Sequence, residues 1–182
     1  MHEKRFAGDV ARLRSPERVE RLEVARVVDL CLDGADAPFH TVLDVGTGSG
    51  LFAEGFAARG LDLAGVDAKP EMIAAAQSYV PAGQFREASA EALPYPDEAF
   101  DLVFMGLLLH ESDEPLQALR EARRVTRQRV GVLEWRYEDG DFGPPLAHRV
   151  SPDALVELAR QAGFSRCETL PLTHLVLYRL TR

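Results

Sequence analysis

Cysteine, positive charge and long apolar runs are all scarce in this sequence. Only Cys31 and Cys167 occur in 182 residues. That is too few for a disulfide framework, and neither has a partner at metal-ligand spacing, so a reducing cytoplasm fits and no metal is expected. The longest apolar stretch, Leu102 to Leu109, falls far short of the ~20 residues that cross a bilayer, so no membrane span is expected. Met1 to Arg14 is charged throughout, which is not the pattern of a signal peptide. Lysine and arginine number 21 against 29 acids, a net charge of −8. A nucleic-acid partner is therefore not expected, because such a surface needs a basic face to displace counterions. The local run Arg120, Arg123, Arg124, Arg127 and Arg129 reads as a solvated helix face, with cations favoured near the helix C-terminus. Internal repeats and low-complexity tracts are absent.

What remains is globular: 46% hydrophobic and 27% charged residues, in a length that suits one domain. Ser15, Pro16 and Glu17 form an N-cap, a first-turn proline and an acidic first turn. Val19, Leu22, Ala25, Val28 and Leu32 follow at helical spacing and predict a helix of roughly four turns, ended by Gly34 and Pro38. From Thr41 strands and helices alternate. The strands are Thr41–Val45, Leu63–Asp67, Gln84–Ala88, Phe100–Met105 and Val130–Trp135. Between and after them lie helices over Gly50–Arg59, Glu71–Tyr79, a stretch from Pro115 through Val125 capped by Asp113, and Leu155–Ala162 capped by Ser151. Such alternation gives a parallel sheet with helices on both faces. Cys167–Leu170 and Leu175–Leu180 then follow as two strands with a short link, which must run antiparallel. The fold class is α/β: a doubly wound, mostly parallel seven-stranded sheet closed by a C-terminal antiparallel hairpin. Residues 1–40 read as an N-terminal helical segment and 41–182 as the ligand-binding domain.

Chemistry concentrates at strand ends. Gly46, Gly48 and Gly50 follow Asp44 at the carboxyl end of the first strand, where ligands of open α/β sheets bind. Dinucleotide sites want G-x-G-x-x-G with a pyrophosphate at the helix start. Here the spacing is G-x-G-x-G, and Leu51 stands where the third glycine belongs, so a ligand without a pyrophosphate is preferred. Asp67 ends the second strand, where a carboxylate can accept hydrogen bonds from both ribose hydroxyls of an adenosine. Pro70, Met72 and Ile73 then flank the adenine.

The segments Leu43–Gly50 (LDVGTGSG), Gly65–Asp67 (GVD), Ala88–Pro94 (ASAEALP), Phe100–Phe104 (FDLVF) and Leu109–Glu111 (LHE) come in the order and spacing of class I S-adenosylmethionine methyltransferases. The sequence resembles most the broad group that includes the ubiquinone and menaquinone methyltransferases, over roughly residues 41–182. That resemblance implies S-adenosyl-L-methionine as cofactor. It implies a site in which Asp44, Gly46, Thr47, Gly48 and Gly50 hold the methionine part and Asp67 grips the ribose. Ala68, Met72, Ser89, Ala90, Glu91 and Met105 complete it, with Ala90 and Glu91 lining the adenine. Ser89 departs from the family, which usually carries Asp there to accept a bond from the adenine amino group. The loop Thr126–Arg129 also replaces the usual Lys-Pro-Gly-Gly turn. A narrower likeness, carried by Leu109–Glu111, Glu134, Trp135, Gly143–Leu146 and Arg149, is to a short prokaryotic subgroup of unassigned substrate.

Methyl transfer from a sulfonium is an in-line displacement, so the protein chiefly supplies alignment. A base is needed only if the acceptor keeps its proton. His110 is the candidate base, with Glu111 to orient it; Trp135 is a candidate aromatic wall, and Arg149 with His148 candidate contacts to an anionic acceptor. His174 and Tyr178 read as structural. The N-terminal helix and the residues around Phe6 are the natural lid over the cofactor. The leading reading is methyl transfer to a small-molecule acceptor. A catalytically silent S-adenosylmethionine-binding module is the alternative, and a nicotinamide oxidoreductase is disfavoured by Leu51 and the terminal hairpin.

Overall fold

A computed structural model describes residues 10–35 and 37–182. Phe6, assigned to the lid, lies outside them. The elements in chain order are α1 (Val10–Leu13), α2 (Pro16–Arg21), α3 (Val24–Leu32), β1 (Thr41–Val45), α4 (Leu51–Ala57), β2 (Asp62–Asp67), α5 (Pro70–Tyr79), β3 (Gln84–Glu87), β4 (Phe100–Gly106), α6 (Pro115–Val125), β5 (Thr126–Trp135), a 3₁₀ turn (Leu146–His148), α7 (Pro152–Gln161), β6 (Arg166–Pro171) and β7 (Leu175–Thr181). The seven strands lie in the order β3-β2-β1-β4-β5-β7-β6. β1 to β5 pair in parallel, while β7 runs antiparallel to both β5 and β6. The predicted closing hairpin is therefore present, and β7 inserts between β5 and β6. Strand order reverses between β1 and β4, which opens the crevice at their carboxyl ends.

The two faces of this sheet each carry a core. Leu43, Val45, Val103, Met105, Val130 and Val132 point toward α6 and α7 on one face. Val42, Leu102, Phe104, Leu133 and Trp135 pack with Leu22, Val28 and Phe56 on the other. The central strands are buried on both faces, so they read as continuous apolar runs and not as alternation.

Three local expectations are corrected. The helix expected from Ser15 to Leu32 is broken: α2 and α3 are separated at Leu22 and Glu23, and Glu23 is left-handed at φ 47°. The cause is remote, since the Glu23 carboxylate accepts the Thr173 N–H at 2.7 Å. The break lets Leu22 turn into the core, where it is fully enclosed. β5 starts four residues earlier than predicted, directly after α6, because the Thr126 hydroxyl donates to the Asp101 and Arg129 carbonyls. The N-cap residue of α6 is Glu114 and not Asp113, and the Ser112 hydroxyl accepts the Glu114 N–H at 3.2 Å just before the helix. Ser15 and Ser151 do cap α2 and α7 as expected.

Candidate cofactor and acceptor site

The turn after β1 is built by positive φ at Gly46 (71°), Gly48 (52°) and Gly50 (75°). Left-handed backbone strains residues with a Cβ, so glycine is required by conformation. At Gly50 space requires it too: a Cβ would stand 3.0 Å from the Ala76 Cα. Four of the five amides from Gly46 to Gly50 are committed internally. Gly46 and Thr47 both donate to the Val66 carbonyl, and Gly50 donates to the Thr47 carbonyl. Gly48 donates to Asp67 Oδ2 at 2.9 Å. These amides are spoken for, so the turn does not offer the row of free N–H groups that cradles a phosphate.

Carboxylates dominate the surroundings instead. Asp44 is buried beneath the turn and accepts the Thr47 hydroxyl at 2.7 Å. Burial pushes its carboxyl up to about 7; the Thr47 bond opposes this and the charge of Asp67 adds to it. Asp67 sits half-buried at the end of β2, its other oxygen accepting the Lys69 N–H at 3.0 Å. A cationic or hydroxyl-rich ligand suits this pair of acids.

Around the rim, Ala68 is exposed and Met72 buried on the first turn of α5. The loop after β3 is tied to β2 by the Ala88 N–H, which donates to the Asp67 carbonyl at 3.0 Å. Ser89, in the position where the resembling family carries Asp, donates its hydroxyl to the Glu91 carboxylate. The Ser112 hydroxyl donates to the other Glu91 oxygen at 2.6 Å, so two hydroxyls brace that carboxylate. Met105 is entirely enclosed in the core at the end of β4.

Beyond β4, Leu107 is left-handed at φ 58° and donates its N–H to the Leu133 carbonyl at 2.8 Å. This kink lays Leu108 over the glycine turn, with its Cδ1 2.9 Å from where a Gly46 Cβ would be. His110 follows and is buried, its Nδ1 2.7 Å from Glu134 Oε2 and its Nε2 3.7 Å from Glu111 Oε1. Burial alone pushes the imidazole down. The hydrogen bond and charge of Glu134, aided by Glu111, outweigh burial and an opposing push from Arg149, leaving His110 raised.

Two candidates stand elsewhere than the sequence suggests. Trp135 neighbours Glu134 on β5 and so faces the other side of the sheet. There it packs with Leu22 and Leu172 and lies under Gly143. Arg149 donates to the carbonyls of Pro144, Arg136, Glu138 and Phe142, so its guanidinium clamps the loop before α7. Two contributors carry no role assigned from sequence: Glu134 enters only through the subgroup likeness, and Arg14 only as the end of a charged stretch. Glu134 had a signal, a lone acid in an apolar strand. Arg14 had none: it donates to the Ser49 carbonyl at 2.9 Å, pairs with Glu54, and covers the Tyr79 ring at 3.6 Å.

Sheet order, terminal hairpin and glycine turn together define a Rossmann-like methyltransferase fold. Residues 43–132 match the family described as methyltransferase domain, and the chain carries a domain of that family. Its cofactor, by family and fold, is S-adenosylmethionine. A crystal structure of an S-adenosylmethionine-dependent methyltransferase from Aquifex aeolicus is similar at TM-score 0.81 and 24% identity, over 94% of this chain and 96% of that one. An uncharacterized methyltransferase of Mycobacterium leprae is 41% identical over 125 residues, 66% of this chain and 46% of the relative. A demethylmenaquinone methyltransferase of Renibacterium salmoninarum is 33% identical over 137 residues, 75% of this chain and 55% of the relative. The chain spans about half the length of these curated relatives.

Proposed function

We propose that this protein binds S-adenosylmethionine on the Gly46–Gly50 turn and transfers its methyl group to a small-molecule acceptor. The observation that carries the reading is the pair Asp44 and Asp67, one buried below the turn and accepting the Thr47 hydroxyl, the other at its rim and accepting the Gly48 amide. Those residues fit the cofactor by charge: it brings cationic sulfonium and ammonium groups and a ribose diol, and no phosphate. Asp44, Gly46, Thr47, Gly48 and Gly50 hold its methionine part, and Asp67 accepts from the ribose hydroxyls. Ala68 and Met72 flank the adenine, with Ser89, Ala90 and the braced Glu91 along its edge, and Met105 acts as floor.

When bound, the cofactor supplies a methyl group already activated on sulfur, so the chain's own task is alignment and water exclusion. His110 is the residue on the acceptor side able to hold a proton near neutral pH, with Glu111 beside it. Arg14 and Leu13, which rest on the turn, serve as the hinge of an N-terminal cover.

Calorimetry of the full chain with S-adenosylmethionine and with NAD tests the binding step. Binding of the first and not the second is expected, and the reverse would overturn the reading. Release of S-adenosylhomocysteine with an acceptor panel tests turnover.

A further inference from the structure

Glu134 is one of the most enclosed acids among the described residues, with 1% of its surface exposed. A buried carboxylate is costly unless it is hydrogen-bonded. Among the described residues its carboxylate is held at two points by His110: Oε1 accepts the backbone N–H at 3.3 Å, and Oε2 meets the imidazole Nδ1 at 2.7 Å. A carboxylate can only accept, so this bond places the proton of neutral His110 on Nδ1 and leaves the lone pair on Nε2. Nε2 stands 3.7 Å from Glu111 Oε1, beyond hydrogen-bond length. The same turn presses Leu108 onto Gly46, so the pair is joined to the cofactor turn through adjacent side chains.

We propose that Glu134 is the positioning residue of a His110–Glu134 dyad whose Nε2 takes a proton from the acceptor. The acceptor is then a molecule whose methylated oxygen or nitrogen carries a proton; this rests on the methyl-transfer reading above. As that atom bonds the methyl carbon and the carbon–sulfur electron pair stays with sulfur, its proton passes to Nε2. The imidazolium that forms is held by the Glu134 carboxylate against Nδ1. The charged and titratable groups facing the pair are Glu134 from β5, Glu111 from the turn, Arg149 from the loop before α7, and Tyr178 of β7 near Glu134.

The test is imidazole titration by NMR in the full chain, with His110→Gln identifying the resonance. Wild-type His110 is expected to titrate above the ordinary imidazole value of 6.5 with its neutral proton on Nδ1. Glu134→Gln should lower that titration by at least one pH unit, because burial still opposes the charge and its counterion is gone. Glu111→Gln should lower it less. A neutral proton on Nε2 in the wild type overturns the dyad, even if Glu134→Gln fails to fold; so does an unmoved titration in Glu134→Gln.

Turnover is read by S-adenosylhomocysteine release on two panels, one of phenols, enols and amines, the other of thioethers and tertiary amines that carry no proton. Methylation confined to the second panel overturns the acceptor class. With a working acceptor of the first panel, Glu134→Gln should cut kcat at least tenfold at neutral pH. Its acid limb should move to lower pH, with the KM for S-adenosylmethionine unchanged. Absence of S-adenosylmethionine binding by calorimetry would sink the methyl-transfer reading and its acceptor class, while the NMR titration still decides the dyad.

Discussion

The Thr47 hydroxyl donates to Asp44 at 2.7 Å, with both residues buried. Even so, burial holds the Asp44 carboxyl near 7, above its ordinary value of 3.8. The folded state therefore keeps a proton that the unfolded chain gives up. Asp44 imposes no penalty below about pH 4, a growing one as pH rises, and its full penalty above about 7. Asp44→Asn should accordingly raise the Tm of the ligand-free protein at pH 8 and lose that advantage at pH 4. Cofactor binding should tighten in the wild type from pH 6 to pH 8, as the carboxylate becomes available to a cation, and should weaken strongly in the variant. Thermal scans and calorimetry at these pH values decide it; a Tm gap equal at both ends contradicts the burial of a neutral acid.

Asp67 ties two backbone amides, Gly48 and Lys69, and has acceptor capacity left for a diol. Asp67→Ala should weaken S-adenosylmethionine binding by ~1.5–3 kcal/mol, the value of charge-assisted hydrogen bonds. Adenosine, which shares the ribose but not the sulfonium, should lose a similar factor. A loss for S-adenosylmethionine with none for adenosine would place the effect on the methionine side.

Gly50 and Gly46 should respond differently to alanine. At Gly50 the new Cβ meets the Ala76 Cα at 3.0 Å, which is backbone and cannot yield. At Gly46 it meets the end of the Leu108 side chain, which can rotate. Both pay the left-handed cost of ~1–2 kcal/mol, and Gly50→Ala adds ~1–3 kcal/mol of overpacking. Urea unfolding should rank Gly50→Ala as the less stable of the two.

Legibility in the sequence followed the range of the interactions. The Ser15 and Ser151 caps are set by neighbours within a few residues, and the glycine turn by the positive φ of its own residues, so pattern alone reached them. The closing hairpin followed from the short link between its strands. The break at Glu23 depends on Thr173, which lies 150 residues away, and no local pattern carries it. The Arg149 guanidinium read as a ligand contact because its four carbonyl partners leave no trace in sequence. Glu134 and His110 lie 24 residues apart on neighbouring strand ends. An acid inside an apolar strand announces burial, but not the residue that satisfies it.

Arg14 fastens the end of α1 to the glycine turn through Ser49, Glu54 and Tyr79. An exposed ion pair and a cation–π contact are each worth ~0.5–1 kcal/mol. Arg14→Ala should therefore raise the S-adenosylmethionine Kd by about three- to tenfold and lower unfolding free energy by ~1–2 kcal/mol. Deleting residues 1–14 should weaken binding further. Unchanged affinity in both variants would remove the cover from the proposal.

Arg149 supplies the clearest optical test, because the chain has a single tryptophan. Gly143 stands so close over Trp135 that a Cβ there would come within 2.6 Å of the indole. What holds Gly143 down is the guanidinium between the Phe142 and Pro144 carbonyls, which also reaches back to Arg136 and Glu138. Lysine has one donor head and cannot bridge four carbonyls at once, so Arg149→Lys keeps the charge and loses the clamp. Trp135 emission should shift to the red and become open to iodide quenching in Arg149→Lys. The loop over residues 136–149 should exchange its amides faster, and unfolding free energy should fall by ~1–3 kcal/mol. If emission and exchange match the wild type while acceptor KM rises, the guanidinium acts on the acceptor and the clamp is incidental.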